Sequence, residues 1–422
     1  MIGKRVDIEA DLVVLTPLQI GTGAFREEER SDRDEQDREP DTRNVALVAT
    51  DFDGAPCIPG STLKGVLRRL SRDNDVLFGP TRIVAAEDAR SGKAVFWTAR
   101  IAGNSSDCQR NRPHVSMGTD TRTAKDPETG VAKRAHLFGG DYVRPGTKFR
   151  LRISLKDAEP GAADALAQVL ARLAAADGEA FGRSTRQGQG RVALIPETLK
   201  AKAFPSGNDL TQDWQSRLAG QPSPDAPDLI RLSLTASGPF LIAGEERSDL
   251  RPGDDREKVR VMTALEDFDG QGPRLTGSTL LGALRARFDW YAAGLGDDCP
   301  SGATERLFGT PGWRGRIAVH AIRRSGTPER KKITSVRLDR FSGEPIDNAL
   351  FTTEAWLNAN FQVDLRFDRH GPKEPEVSCD TDLKIFNDFR EELCDPDWGG
   401  IQLGLGGNKG FGWFDIREVS DA

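Results

Sequence analysis

The chain writes one segment twice. Cys57-Ile58-Pro59-Gly60-Ser61-Thr62-Leu63-Lys64-Gly65-Val66-Leu67-Arg68 returns as Leu275-Thr276-Gly277-Ser278-Thr279-Leu280-Leu281-Gly282-Ala283-Leu284-Arg285, with Ser278 standing 217 positions after Ser61. An Asp-Phe-Asp-Gly turn precedes each copy, Asp51 to Gly54 and Asp267 to Gly270. Each copy has a small turn, a Ser-Thr pair where a helix N-cap belongs, and an apolar helical pattern ending in arginine. A repeat of so long a period restricts the fold to two copies of one module, and every other motif must be read in duplicate.

The halves match along most of their length. Val6 to Leu15 alternates apolar and polar residues with period two, as a half-buried strand does, and Ile230 to Leu234 answers it. Pro17-Leu18-Gln19-Ile20-Gly21 then corresponds to Pro239-Phe240-Leu241-Ile242-Ala243. Mixed-charge stretches follow, residues 24–43 and 245–258, which read as solvated loops. Leu-Phe-Gly recurs at 77–79 and 307–309, ahead of basic-apolar strands at 82–85 and 316–319. Basic, turn-rich stretches at 116–135 and 334–348 lead to strands 148–154 and 361–367 and helices 162–176 and 380–393. Each half closes on a glycine-rich stretch and a strand, 181–192 and 403–414. That order predicts an α+β fold, a split βαβ, ferredoxin-like sheet with helices on one face, made twice. The modules are 1–202 and 228–422, and the Pro-, Ser-, Gly- and Asp-rich 203–227 reads as a linker.

Composition excludes several classes. A net charge of −6 argues against a protein that coats nucleic acid all over, so any such contact must be local. The charge is uneven: residues 26–43 hold nine acids and five bases, whereas Gly182 to Arg191 holds Arg183, Arg186 and Arg191 with no acid. The chain has no apolar run of about 18 residues and no signal-peptide pattern at its start, so no membrane contact is expected. Five scattered cysteines without a CxxC fit a reducing cytoplasm. The four histidines lie far apart and form neither HExxH nor a Cys/His set.

Two constellations can bind phosphate. Glycines let a backbone approach an anion closely, and arginines add bidentate contacts. This singles out Arg183, Arg186, Gly188 and Gly190 in the first half and Lys409, Gly410 and Phe411 in the second. Neither loop is a Walker A motif, so a phosphodiester backbone fits better than a nucleotide. The helix starts have the same logic, with Ser61, Thr62, Lys64 and Arg68 answered by Ser278, Thr279 and Arg285. Plain structural roles, tight turns and helix caps, remain open for the same residues. Leu281 replaces Lys64, so the second copy should grip phosphate less firmly. For catalysis the chain offers carboxylates in the first mixed-charge stretch and its counterpart. Asp41 lies four residues before Val45 and Asp255 four before Val259, with Asp32, Asp34 and Asp37 as neighbours able to substitute. A carboxylate there can hold a divalent ion or act as base on a ribose hydroxyl.

Taken in order and twice over, these motifs resemble the RAMP superfamily of CRISPR-associated proteins, and in particular the backbone subunits of type III effector complexes. The residues that carry the likeness are Gly21-Thr22-Gly23, the Cys57 to Gly65 segment, both Leu-Phe-Gly turns, Val336 to Gly343 and the closing glycine loops. The tandem build resembles the fused double subunits of type III-D systems. The resemblance implies an RRM-like palm and a thumb hairpin in each half, with Arg337 and Arg340 on the second thumb. It implies binding of a CRISPR guide RNA along its backbone, with Gly21 in that contact, alongside a target RNA and other subunits. It also implies that a loop aspartate, matched by Asp41 and Asp255, supports cleavage of target RNA with Mg²⁺ or another divalent ion. A scaffold that binds RNA without cutting it is the alternative. A stand-alone guide-processing nuclease is less well matched, since no histidine recurs in both halves.

Overall fold

The computed structural model describes residues 5–29, 42–71, 74–81, 90–103, 117–125, 132–157, 160–222, 228–251, 254–369 and 378–419. It divides into two compact units. One comprises Met1–Thr185 and Gln189–Ala226, the other Arg186–Gly188 and Pro227–Ala422.

In the first unit the chain runs β1 (Arg5–Val14), β2 (Gly21–Glu29), β3 (Thr42–Val48), β4 (Cys57–Ile58), α1 (Gly60–Leu70), α2 (Asp75–Phe78), β5 (Ala94–Phe96) and β6 (Ala99–Ile101). It continues through β7 (Met117–Lys125), β8 (Ala132–Val143), β9 (Lys148–Lys156), α3 (Pro160–Leu173), β10 (Glu179–Ala180), β11 (Arg191–Phe204) and α4 (Thr211–Ala219). The palm sheet runs β10-β11-β1-β9-β6-β4, with β5 also on β9. Fourth, first, third, second is the strand order of a ferredoxin-like sheet. Its cause is legible in β1, where Val6, Ile8, Ala10, Leu12 and Val14 point to one face and are buried. Leu63, Leu67 and Leu70 of α1 and Leu166, Leu170 and Leu173 of α3 cover that face at helical spacing. Each such leucine adds roughly 1.5–3 kcal/mol when buried.

The second unit repeats the plan with β12 (Leu229–Ala236), β13 (Ala243–Arg251), β14 (Asp254–Ala264), α5 (Gly277–Leu295), α6 (Ala303–Phe308) and β15 (Ile317–Ser325). Then come β16 (Glu329–Leu338), β17 (Pro345–Leu357), β18 (Asn360–Phe367), α7 (Cys379–Leu393), β19 (Ile401–Gln402) and β20 (Trp413–Glu418). Its sheet order, β15-β18-β12-β20-β19, is the same arrangement. Its core is richer in aromatic rings: Phe288 meets Phe389 edge-on at 5.1 Å between centroids, and Phe240 meets Phe414 likewise at 5.2 Å. Asp382, in the first turn of α7, is fully buried and accepts hydrogen bonds from Arg306 (2.9 Å) and Arg316 (2.7 Å). The two guanidiniums keep that carboxylate compensated in a dry interior.

Each unit carries a second, four-stranded sheet, β2-β3-β8-β7 and β13-β14-β17-β16. The described residues of the mixed-charge stretches expected as loops, 24–29, 42–43, 245–251 and 254–258, lie in antiparallel ribbons. In the backbone register Glu28 stands opposite Arg43 and Arg251 opposite Asp254. The short apolar runs at 45–48 and 259–262 mark β3 and β14 as strands, whereas no apolar alternation marks the charged β2 and β13. The linker expectation is also corrected. Ala203 and Phe204 end β11, and α4 buries Trp214 and Leu218 in the first unit's core. The strand expected at 82–85 lies outside the described residues.

The glycine loops are clamped in one way in both units. Arg183 N–H donates to the Gln19 carbonyl (2.8 Å) and Gly190 N–H to that of Pro17 (2.9 Å). Leu405 N–H and Gly412 N–H do the same to Leu241 and Pro239, each at 2.8 Å. Gly182 (φ +73°) and Gly404 (φ +83°) sit where a Cβ would overlap the Gln19 and Leu241 carbonyls. Only glycine fits a left-handed position at such close approach.

Two outcomes follow for chemical denaturation. Gly182→Ala and Gly404→Ala should each destabilise their own unit by about 2–4 kcal/mol. Asp382→Ala should destabilise the second unit by about 3–5 kcal/mol, because two buried arginines lose their counter-charge.

Candidate nucleic-acid interface

The helix starts differ from expectation in how they are capped. α1 begins at Gly60, its N-cap is Pro59, and Ser61 makes no capping bond. In α5 the cap is Thr276, whose hydroxyl accepts from Thr279 N–H (3.3 Å) and bonds the hydroxyls of Ser278 (3.0 Å) and Thr279 (2.9 Å). Ser278 and Thr279 are thus engaged in the cap itself, whereas Ser61 is exposed. Pro59 cannot do what Thr276 does, since it has no side-chain acceptor.

The repeated arginine has a structural partner in both units. Arg68 donates to the Phe78 (2.6 Å) and Gly79 (2.5 Å) carbonyls, and Arg285 to the Gly309 carbonyl (2.6 Å). It ties the helix to the Leu-Phe-Gly turn, which explains why both copies carry it. Around Arg68 in the first unit lies a cleft of about 460 Å³, lined by Gly60, Ser61, Lys64, Phe78, Arg90 and Ser91 among others. Lys64 and Arg90 are exposed on it, and among the described residues no acid lines it. A concave, cationic surface beside a helix N-terminus is suited to a phosphate.

The corresponding place in the second unit is filled. Arg186 donates to the Ile317 carbonyl and to that of Phe308 (3.4 Å), while its own carbonyl accepts from Val319 N–H (2.8 Å). Gln187 pairs with Val319, and its carbonyl lies where a Cβ on Gly277 would sit. Burial, with the nearby Arg314 charge second, lowers the Arg186 pKa to about 10. This arginine, expected on RNA, is committed to backbone carbonyls. Gly188 (φ +74°) packs against Val319, and Gly190 (φ +78°) against the Phe181 carbonyl.

Other expected residues are placed outward. Arg183 is exposed, its side chain lying over Gly21 at 3.4 Å from the site of a Cβ, so these two are brought together. Lys409 and Gly410 stand exposed on a turn. Phe411 is half-buried against the core, and Trp413 shows more of its ring. On β16 and its turn, Arg337 and Arg340 are exposed and Phe341 is 97% exposed. Asp339 fixes that turn by accepting from Phe341 N–H and Ser342 N–H, each at 2.8 Å. Those bonds, to Ser342 first and Phe341 next, lower the Asp339 pKa.

A repeated pair of buried acids escaped the sequence reading. Asp141 on β8 binds Arg26 (3.2 Å) and Thr119 (2.8 Å), and Glu354 on β17 lies 3.8 Å from Arg330. Each stands two residues before the bridge that joins its hairpin to the Pro17 or Pro239 loop, Leu18 with Val143 and Phe240 with Trp356. They anchor the root of the hairpin. Each acid follows a Leu-Phe pair by three residues, Leu137-Phe138 and Leu350-Phe351, which was the available signal.

Asp41 lies outside the described residues, and Asp255 is placed by its backbone, second in β14 beside the hairpin turn. Among the described residues no three His, Cys, Asp or Glu side chains gather into a set able to hold a metal ion. Nor is any described helix long and apolar enough to cross a membrane.

Comparison with known proteins agrees with this duplicated architecture. A family model described as RAMP superfamily matches residues 11–193 and again 235–415. A search of curated proteins returned no significant match. Two ferredoxin-like units, each matched by that family over nearly its whole length, place the chain in the RAMP superfamily, whose members are generally CRISPR-associated RNA-binding proteins.

Proposed function

We propose that this chain is a guide-RNA-binding backbone subunit of a type III CRISPR effector complex, working with other subunits on a target RNA paired to the guide. The β16–β17 hairpin carries the reading. Its exposed Arg337 and Arg340 flank a turn that presents the Phe341 ring on a backbone held by Asp339. A pre-set aromatic tip between cations suits contact with an RNA backbone and an unstacked base. Lys64, Arg183 and Lys409 are exposed cations that extend the backbone contact over both units. The first unit has the stronger helix-start site, since Arg186 and Gln187 occupy the corresponding place in the second.

Cleavage of the target RNA is the second part of the proposal, with Asp41 and Asp255 as the acting carboxylates. In sequence Asp41 immediately precedes β3, and Asp255 is the second residue of the equivalent strand β14. Mg²⁺ or another divalent ion, when bound, would stabilise charge on the reacting phosphate. The aspartates would hold it, or take the proton of the attacking 2′-hydroxyl. A scaffold that binds RNA without cutting it is the second reading.

The assembled complex should be given guide-complementary RNA with Mg²⁺ and with chelator, using wild type, Asp41→Ala and Asp255→Ala. Loss of one product in one variant, with the guide still bound, assigns that aspartate. Persistence of every product in both variants removes the catalytic part and leaves the scaffold. Separately, Arg337→Ala with Arg340→Ala should weaken RNA binding and flatten its dependence on log salt by about 1.4, two phosphate contacts being lost from a single strand.

A further inference from the structure

The cleft at the start of α1 is larger than a phosphate contact requires. Its volume of about 460 Å³ lies within the roughly 300–1,000 Å³ of small-molecule sites and far exceeds one tetrahedral anion. The helix start, the Leu-Phe-Gly turn with Pro80, and β5 wall it. Phe78 and Phe96 stack in that wall, 5.4 Å between centroids and 1° from parallel, with Val95 beside them. The cleft is therefore apolar on one side and cationic on another.

Its polar groups are uncommitted. Lys64 and Arg90 are exposed and make no ion pair among the described residues, whereas Arg26, Arg150 and Arg152 of the same unit each hold an acid. Ser61 makes no capping bond. Thr62 N–H and Leu63 N–H turn to the Pro59 carbonyl (2.9 and 3.1 Å), which leaves Gly60 and Ser61 N–H as the first-turn donors without an intrahelical partner. Arg68 Nε is buried without a hydrogen-bond partner, a vacancy that an acceptor in the cleft can satisfy.

The second unit shows that this place accepts a guest. Phe308, Gly309 and Ile317 correspond to Phe78, Gly79 and Ala94, the last of each set opening the strand that pairs with β18 or β9. There Arg186 donates to the Phe308 and Ile317 carbonyls, and its guanidinium lies 2.9 Å from where a Cβ on Gly309 would stand. In the first unit Arg68 takes the Phe78 and Gly79 carbonyls from its own helix. The space that a side chain fills in one unit is thus open in the other, beside cations.

We propose that the first unit's cleft is a nucleotide pocket, taking one whole nucleoside monophosphate. Its phosphate meets Lys64, Arg90 and the first-turn amides of α1, and its sugar and base lie along Pro80, Val95 and Phe96. This rests on the RNA-binding reading and adds to a phosphate grip the rest of the same nucleotide. A phosphate joined to a flat base uses both the cations and the apolar wall. A protein carboxylate would use the cations and leave most of the volume empty. The same chemistry is offered by a nucleotide within a strand and by a free one.

The test uses the full chain and calorimetric titration with uridine 5′-monophosphate and with inorganic phosphate. The nucleotide should bind about fivefold to a hundredfold more tightly than phosphate, the range for one base held on such a wall. Lys64→Ala with Arg90→Ala should weaken the nucleotide about tenfold or more. Ser91→Trp, which narrows the cleft from its exposed rim, should remove the nucleotide's advantage and leave phosphate binding as in wild type. Melting temperatures near that of wild type exclude loss of fold as the cause. Displacement of the nucleotide by oligouridylate identifies a strand nucleotide as the guest, and binding of both together identifies a free one. Equal affinity for nucleotide and phosphate, a nucleotide affinity untouched by the variants, or oligouridylate binding without nucleotide binding overturns the pocket and leaves a phosphate contact. A chain that binds neither nucleotide nor oligouridylate overturns the RNA-binding reading itself.

Discussion

The contact on which the fold depends is the backbone clamp between each glycine loop and the loop after the first palm strand. Gly182 and Gly404 bring two main chains so close that the Gln19 and Leu241 carbonyls occupy the space of a Cβ. The last palm strand thereby lies beside the first, as in the pairing of β11 with β1 and of β20 with β12. The same loop after the first strand bridges to the hairpin sheet through Leu18 with Val143 and Phe240 with Trp356. One short segment thus orients both sheets of a unit. The glycines that first suggest phosphate binding are primarily what closes the module.

That double use explains which inferences from sequence held and which did not. Palm strands and helices were legible because burial imprints a period, two in β1 and about 3.6 in α1 and α3. The short strands at 45–48 and 259–262 were legible from their valines, whereas the charged β2 and β13 were not, because they carry no apolar stripe. Trp214 and Leu218 show why composition misled at the linker: two buried side chains suffice to dock a short helix in a Pro- and Ser-rich segment. Among site residues, exposure separates the classes. Lys64, Arg183, Arg337 and Arg340 face outward, whereas Arg68, Arg186 and Arg285 donate to carbonyls. A sequence records the guanidinium but not the direction it takes, so recurrence of arginine in both copies indicated a shared structural bond.

Duplication has also let the copies diverge in chemistry while keeping their frame. The first unit keeps a cationic cleft at its helix start, with Lys64 and Arg90 open to solvent. The second has Leu281 in place of Lys64, hydroxyls engaged by Thr276, and Arg186 with Gln187 packed across the start of α5. It offers an exposed hairpin turn with Phe341. Guide contact in the proposed role is then divided, phosphate grip at one helix start and base contact at the hairpin of the other unit.

Hydrogen–deuterium exchange of the full chain, with and without single-stranded RNA, tests that division most directly. RNA should slow exchange at residues 60–64 and 337–343, and leave 277–281 unchanged because Leu281 stands there in place of Lys64. Equal slowing at both helix starts, or no change at the hairpin turn, would contradict it.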